Sequence, residues 1–179
     1  MGGVERRRLT LARLLGDEFE QQVVCFSGRG PLFDAFAQTS TRVTPLGESR
    51  GRELGEPRAH VRLHRLMRRW RPHVVHSAIF PEMIWGASAG LLHRSPVVLL
   101  EETSSPFERT GRSHRRSAKA RLLLRGLVAL TTGIVAIAPT VRRSLIDDLG
   151  IPPRKVFLVP NGVAEFELAP TARQVPLYR

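Results

Sequence analysis

Residues 133–163, GIVAIAPTVRRSLIDDLGIPPRKVFLVPNGV, decide the fold. The run at 133–138 is apolar without alternation, which is typical of a strand covered on both faces. Apolar residues then recur at helical spacing between Pro139, a helix-start signal, and Gly150, a helix-stop signal. A second apolar run at 155–159 precedes an Asn-Gly turn. Strand, helix and strand with short connections predict a βαβ unit in a parallel sheet.

The rest of the chain extends the same alternation. Short apolar runs at 23–26, 42–46, 74–77 and 97–100 predict four more strands, with helical patterns between them. The sequence therefore predicts a Rossmann-like α/β fold with a mostly parallel sheet and helices on both faces.

The pattern begins on a helix, which we expect to pack Leu11, Leu14 and Leu15 on the sheet. In this architecture a glycine loop and helix follow the first strand, which lies in the middle of the sheet. Only Met1 precedes Gly2 in the sequence. We therefore expect the first strand to be missing.

The length of 179 residues suits one domain with its own core. Its formal charge of +12 favours an anionic partner, such as nucleic acid, a phospholipid surface or a phosphorylated substrate. A general preference for arginine over lysine explains the charge equally well. Arginine-rich helices at 58–71 and 115–130 predict an anion-binding surface that includes Arg65, Arg69, Arg112, Arg115 and Arg116. Aromatic residues do not alternate with these arginines, so nucleic acid is the less favoured partner.

Several other classes of site find little support. Cys25 is the single cysteine, so an internal disulfide is excluded and a reducing cytosol fits. His60 and His64 lie four apart on a predicted helix without a third metal ligand nearby. His76, on a predicted buried strand, is expected to be a core histidine with its hydrogen bonds satisfied. No Ser-His-Asp order or G-x-G-x-x-G fingerprint indicates a hydrolase or a dehydrogenase.

Two stretches carry a resemblance to a known family. Residues 134–163, and residues 65–103, RLMRRWRPHVVHSAIFPEMIWGASAGLLHRSPVVLLEET, resemble the N-terminal domain of family 4 glycosyltransferases, which have the GT-B fold. The resemblance departs at two points. The second histidine of the family's "HsH" falls on Ala78, and the histidine that often ends the next strand falls on Glu102.

The resemblance implies site residues. Gly2 and Gly3 match the glycine loop, where backbone N–H groups and the helix dipole approach a diphosphate. Glu102 stands where a catalytic group meets the reacting sugar, and its carboxylate could accept a hydrogen bond from an acceptor hydroxyl. The alternative, slightly favoured, is an exposed strand-end acid paired with a nearby arginine. Residues 101 and 102 point to opposite faces, so only one meets the cleft. Asn161 and Gly162 match the loop that leads to the second domain.

The resemblance also implies an organisation and an activity. Residues 1–163 are expected to form the N-terminal domain, and 164–179 a tail leading to a donor-binding domain outside the sequence. The implied activity is the acceptor-side half of a retaining glycosyltransferase that moves a sugar from a nucleotide sugar to a glycan or lipid-linked acceptor. Alone it is expected to be inactive, needing a C-terminal domain or a separate donor-binding chain.

No cofactor and no metal are implied, and the expected location is cytoplasmic, with peripheral contact at the anionic inner face of the plasma membrane. A second hypothesis is a non-catalytic α/β module that binds anions or a membrane surface.

Overall fold

A computed structural model of the protein describes residues 3–26, 29–39, 41–47, 57–79, 82–103 and 118–162. Six α-helices and six β-strands alternate along this part of the chain. The helices are α1 (Gly3–Leu15), α2 (Phe33–Ala37), α3 (Pro57–Trp70), α4 (Glu82–Leu92), α5 (Ala118–Leu130) and α6 (Pro139–Arg143). The strands are β1 (Gln22–Cys25), β2 (Arg42–Pro45), β3 (Val74–Ala78), β4 (Val97–Glu102), β5 (Gly133–Ala136) and β6 (Val156–Leu158).

The strands form two parallel sheets. One has the order β1-β2 and the other the order β3-β4-β5-β6. Every pair is parallel, as the apolar runs predicted, and β5-α6-β6 is the predicted βαβ unit. The helix after Pro139 continues as one π-helical segment, Ser144–Asp148. The predicted α/β class with parallel pairing is confirmed.

The main core covers one face of the four-stranded sheet. Helices α4, α5 and α6 pack on a face that includes Val98, Leu100, Ile134 and Ala136. Gly90 lets α4 approach closely, because a Cβ there would lie 2.9 Å from a methyl of Val98. The register places His76, Leu99 and Glu101 on the opposite face. That face therefore remains available for polar contacts.

The two-stranded sheet is covered on both faces. Leu9 and Ala12 of α1 join Phe36 of α2 in a cluster that packs with Val23 and Val43. On the other face, α3 contributes Leu63 and Met67 to a cluster that contains Ala89 of α4 and touches both Val24 and Val75. Helix α3 therefore connects the cores of the two sheets.

The expected packing of α1 is wrong for Leu11 and Leu14, while Leu15 is half-buried. Leu11 is 39% exposed and Leu14 is 77% exposed, whereas Leu9 and Ala12 are buried. The reason is the orientation of the helix. The side that faces the protein also carries Arg8, which contacts His76 and Glu101. Leu11 and Leu14 therefore point to solvent.

The hydrogen-bond ladder of the described strands is divided between β1 and β3, and the absence of a first, central strand stays a prediction. Among the described residues no strand pairs with the second edge of β1 or with the second edge of β3. In the strand order of doubly wound folds, the first strand lies between two such edges.

Candidate functional site

Polar side chains from four separate segments meet beside the carboxyl end of β4. Arg7 and Arg8 come from α1, His76 from β3, Glu101 from β4 and Asn161 from the loop after β6. We call these five residues the arginine–glutamate cluster. Ligands of open parallel sheets bind beyond the carboxyl ends of the strands, so this position is where a site is expected.

Glu101 is the centre of the cluster. Its side chain is 4% exposed, and Arg8 Nη2 donates a hydrogen bond to Glu101 Oε2 at 2.9 Å. Arg7 forms an ion pair with the other carboxylate oxygen, Oε1. Two guanidinium groups therefore compensate one buried carboxylate. A buried carboxylate needs such partners because burial without them strongly disfavours its charged form.

His76 lies between Arg8 and Glu101 and contacts both of them. Arg8 Nη1 lies 2.7 Å from His76 Nδ1, so Nδ1 is the acceptor and carries no proton. The ring proton is then on Nε2, which lies 3.0 Å from Glu101 Oε2. Burial, followed by the charges of Arg8 and Arg7, lowers the pKa of His76 to about 3. His76 is therefore neutral at physiological pH, with a fixed tautomer.

Arg7 extends the cluster to the loop after β6. Its guanidinium donates a hydrogen bond to Asn161 Oδ1 and also contacts Glu101. Asn161 is exposed. The predicted interdomain loop is thus tied, through one arginine, to both α1 and the end of β4.

The cluster carries a net positive charge. Burial, with a further contribution from Arg7, lowers the pKa of Arg8 to about 10, so Arg8 stays charged at neutral pH. Burial also lowers the pKa of Arg7. Two guanidinium charges against one carboxylate leave an excess of one positive charge in a partly desolvated place. Such a place attracts an anionic group, since charge-assisted hydrogen bonds are strongest where water is excluded.

Glu102 lies on the other face of β4 from Glu101. In the register, Glu101 is paired with Val135 and Glu102 with Ala136, which belongs to the main core. Glu102 is 4% exposed. The prediction that the two glutamates face opposite ways is confirmed, and the expectation of an exposed acid is wrong for both. Glu102 as the catalytic group stays a prediction.

The glycine loop is described only in part. Gly3 is the first residue of α1, and nothing lies within 4 Å of a Cβ placed on it. Arg7 is four residues further on, about 6 Å along the helix axis. Gly2 lies outside the described residues. Gly162, next to Asn161, is also exposed, and nothing lies within 4 Å of a Cβ placed on it. Diphosphate binding by Gly2 and Gly3 stays a prediction.

Two features mark the carboxyl end of β3. Ile79, the next residue after the strand, has φ 68°, a left-handed conformation that a β-branched residue adopts only under strain. Glu82, at the start of α4, has a buried oxygen, Oε2, with no hydrogen-bond partner among the described residues. Burial raises the pKa of Glu82. Backbone strain and an unpartnered carboxyl group beside a strand end are common at functional sites.

The predicted anion-binding surface lies elsewhere. Arg65 and Arg69 are both exposed on α3, whose exposed face also carries Arg58 and Arg68. Arg112, Arg115 and Arg116 lie outside the described residues. Within the described ranges, none of the helices is both long and apolar enough to cross a membrane.

The histidines of α3 have partners of other kinds. His60 stacks on Trp85 with ring centroids 3.8 Å apart, and His64 Nδ1 lies 3.2 Å from His93 Nε2. In the part of the chain that the structure describes, no three His, Cys, Asp or Glu side chains are grouped to hold a metal ion.

Sequence reasoning missed three members of the cluster. The sequence predicts His76 to be a core histidine and indicates no role for Arg7 and Arg8, although both arginines follow the Gly-Gly pair in the first turns of the helix. The available signal was their position, because residues in the first turns of a helix after a glycine loop face the carboxyl edge of a parallel sheet. His76 instead meets Arg8 because β3 places the His76 side chain on the side of the sheet where α1 lies.

Comparison with models of known protein families gives a match over most of the chain. The family model described as Glycosyltransferase Family 4 matches residues 1–165. A comparison with curated proteins finds no match. The matched range includes every strand of both sheets and the whole arginine–glutamate cluster. With the parallel α/β fold, this match shows that the chain belongs to glycosyltransferase family 4.

Proposed function

We propose that this chain is the acceptor-side half of a retaining glycosyltransferase that transfers a sugar from a nucleotide sugar to a glycan or lipid-linked acceptor. The observation that supports the proposal most directly is the arginine–glutamate cluster, a partly desolvated group with excess positive charge beside the carboxyl end of β4. Family membership supports glycosyl transfer as the type of reaction.

The cluster suits the leaving group of such a reaction. When an acceptor oxygen replaces a nucleoside diphosphate at the anomeric carbon, negative charge grows on the departing diphosphate. Fixed positive charges near that group stabilise the transition state. In the proposal, Arg7 and Arg8 supply this charge with the backbone N–H groups of Gly2 and Gly3, and Glu101 holds both guanidinium groups in place.

Glu102, the last residue of β4, is the proposed catalytic group on the acceptor side; its side chain lies on the opposite face of β4 from the cluster, so the proposal places the acceptor beyond the end of the strand, within reach of both faces. Its carboxylate would accept a hydrogen bond from the acceptor hydroxyl. For retention, the acceptor oxygen would bond to the anomeric carbon on the face from which the diphosphate leaves, and the departing diphosphate would take the hydroxyl proton. His76 is a positioning residue, because its unprotonated Nδ1 receives the hydrogen bond from Arg8. We propose that transfer needs neither a cofactor nor a metal. A chelator such as EDTA should therefore leave unchanged the rate of sugar transfer by this chain together with its donor-binding half.

The donor-binding half is proposed to be a further domain or a separate chain, with Asn161 and Gly162 in the connecting loop. Because much of the rate of such enzymes comes from holding donor and acceptor together, the present chain alone should not transfer sugar. Incubation with a panel of labelled sugar nucleotides and a lipid extract tests this. Turnover by the chain alone that Glu102→Ala abolishes would contradict it.

Diphosphate binding can be tested on the chain by itself. Isothermal titration with inorganic pyrophosphate, at low and at high salt, should show weak binding that Arg8→Gln weakens about tenfold, the equivalent of one charge-assisted hydrogen bond. The matched control is Arg69→Gln, which removes the same charge from the exposed face of α3. Equal affinities for the two variants would contradict a diphosphate site at the cluster.

The exposed arginines of α3 favour a second candidate function, binding to an anionic membrane surface on the cytoplasmic side. Arg65 and Arg69 are on one helix with Arg58 and Arg68, and each arginine near such a surface contributes about 1 kcal/mol. Binding to phosphatidylserine vesicles should weaken steeply with salt and after Arg65→Glu with Arg69→Glu. Equal binding to neutral and anionic vesicles would contradict this function.

A further inference from the structure

The outer side of α5 is an exposed apolar surface. Leu122 and Leu130 are each 72% exposed, and Leu123 is 48% exposed. Gly126 and Ala129, which are also exposed, lie between them on the same side of the helix. We call these five residues the α5 face. Single exposed leucines are common in soluble proteins, but a contiguous apolar patch is typical of a surface that binds a partner.

The opposite side of α5 is already buried inside the protein. It contributes three residues to the main core, namely Leu124, Leu127 and Val128. Helix α5 is therefore apolar on two opposite sides, and only one of them has a cover within the described part of the chain. A helix that is apolar all round is normally enclosed on all sides. The α5 face thus calls for a cover from outside the chain.

The two arginines of α5 reach away from this face, towards the segment after α6. Arg121 Nη2 donates a hydrogen bond to Asp148 O at 3.2 Å. The Arg125 guanidinium lies beside Gly150, where an added Cβ would be 3.4 Å from Arg125 Cζ. The α5 face is therefore an uncharged area with arginines along one side. Depletion of charge at the centre of a patch is typical of the core of a protein–protein interface.

Gly126 indicates what kind of partner fits. It lies in the middle of α5, where glycine disfavours the helix relative to alanine. Gly90 of α4 has an internal reason, since its Cβ would lie 2.9 Å from a methyl of Val98. Gly126 has none, because nothing among the described residues lies within 4 Å of a Cβ placed on it. A gap between exposed leucines suits another helix, because small residues let two helix backbones approach closely.

The α5 face is complementary to itself. Leu122 and Leu130 lie four residues on either side of Gly126, and Leu123 and Ala129 lie three residues on either side. In two antiparallel helices related by a two-fold axis at Gly126, residues at equal distances from the axis meet. Leu122 of one copy then packs against Leu130 of the second copy, and Leu123 packs against Ala129. The self-complementary spacing therefore favours a second copy of the chain as the partner.

We infer that the α5 face is a homodimer interface, in which two antiparallel α5 helices cross at Gly126. The two faces together would bury on the order of 1,000 Å², the low end for specific interfaces, so the expected dimer is weak, with a Kd of about 10 μM. The inference rests on helix packing and not on glycosyl transfer. Its test therefore contains no activity measurement.

Sedimentation velocity of the full chain, at concentrations up to about 200 μM, measures the monomer–dimer equilibrium. Dimers should persist at high salt, because the contact is apolar and salt screens the repulsion between two copies of charge +12. Leu122→Glu should raise Kd by about tenfold or more, since it places a charge against Leu130 of the second copy. The matched control is Leu14→Glu, at a leucine of α1 that is 77% exposed, and it should leave Kd unchanged.

Two further sets of variants test the antiparallel pairing and the gap. Leu122→Glu with Leu130→Arg places opposite charges together across the axis and should recover most of the affinity lost in Leu122→Glu alone. Leu122→Glu with Leu130→Glu places like charges together and should abolish the dimer. Gly126→Leu fills the gap and should weaken the dimer by about tenfold, while Tm of the monomer stays equal or rises because leucine favours the helix.

A chain that stays monomeric at every concentration would overturn the inference. So would dimers that neither Leu122→Glu nor Gly126→Leu weakens, or equal affinities of the two double variants, because the copies would then meet elsewhere or in another orientation. If Leu122→Glu does not fold, Gly126→Leu decides alone. A monomeric chain whose binding to phosphatidylserine vesicles is lost in Leu122→Glu but kept in Leu14→Glu would assign the α5 face to a lipid surface and overturn the inference as well.

Discussion

The four-stranded sheet and the two-stranded sheet are built from similar apolar runs, but they bury these runs to different extents. Every residue of β5 is buried, whereas every residue of β1 is half-buried. The two strands have the same length and each has two β-branched residues at its centre, although β1 begins with Gln22 and β5 with Gly133. The difference is the number of paired neighbours, which is two for β5 and one for β1 among the described strands. Burial of a strand is therefore set by the elements around it more than by its own composition.

The largest expected effect is in the core of the four-stranded sheet. Leu100→Ala should lower the free energy of unfolding by about 3–5 kcal/mol, because Leu100 is fully buried and the cavity cannot collapse between β4 and its helices. Urea unfolding followed by circular dichroism measures this. The control is Leu92→Ala at the exposed end of α4, which should change stability by less than about 0.5 kcal/mol. Similar losses from both variants would show that the four-stranded sheet does not carry the main core.

The next effect concerns the contact between the two regions. Glu101→Gln should cost about 3 kcal/mol, since it leaves two partly buried guanidinium groups without their counter-charge. Glu101 belongs to the four-stranded sheet, whereas Arg7 and Arg8 belong to the helix that covers the two-stranded one. The variant should therefore also increase hydrogen exchange in α1. A loss of stability with unchanged exchange in α1 would mean that the cluster does not connect the two regions.

An effect that is smaller within any one pH unit should appear as a dependence on pH. The pKa of His76 is lowered to about 3 in the folded protein, against about 6.5 in the unfolded chain. Between these values the unfolded state binds the proton and the folded state does not, so stability falls as the pH falls. The loss is about 1.4 kcal/mol per pH unit below roughly pH 6. His76→Gln, which keeps an acceptor for Arg8, should remove this slope, and an unchanged slope would assign it to other groups.

The smallest effect compares the same substitution in both sheets. Val98 of β4 is buried, and Val24 of β1 is half-buried. Val98→Ala should cost about 1 kcal/mol more than Val24→Ala, because the same two carbons remove more apolar area from water at Val98. Paired urea unfolding curves measure the difference. Equal costs would indicate that β1 is as enclosed as β4.

Much of the fold could be predicted from local patterns. The βαβ unit at 133–158, the amphipathic helix with Leu63 and Met67 on its buried side, and the run of parallel strands follow from the spacing of apolar residues. The family resemblance of 65–103 and 134–163 is equally a property of the linear sequence, and the family match over 1–165 confirms it. These features can be predicted because the spacing of apolar residues and the turn residues determine local structure over a short stretch of sequence.

The orientation of α1 could not be predicted in the same way. Leu9, Leu11 and Leu14 have similar apolar character, and the side that is buried is the one where Arg8 contacts His76 and Glu101 and where Leu9 packs with Phe36. An amphipathic pattern with arginine and leucine on adjacent sides of the helix allows more than one rotation. The ionic contacts select one of them.

By itself, the sequence determined the fold class, the parallel pairing and the family, because these depend on short-range periodicity and on motifs read along the chain. Only the tertiary structure decided the site. Strand alternation already put Glu101 and Glu102 on opposite faces, but the packing placed Glu101 with the arginines, and it brought Arg8 to His76 and Glu101 across 68 and 93 residues of sequence. Such contacts depend on how the helix and the sheets pack, and no local pattern encodes a distance between residues so far apart.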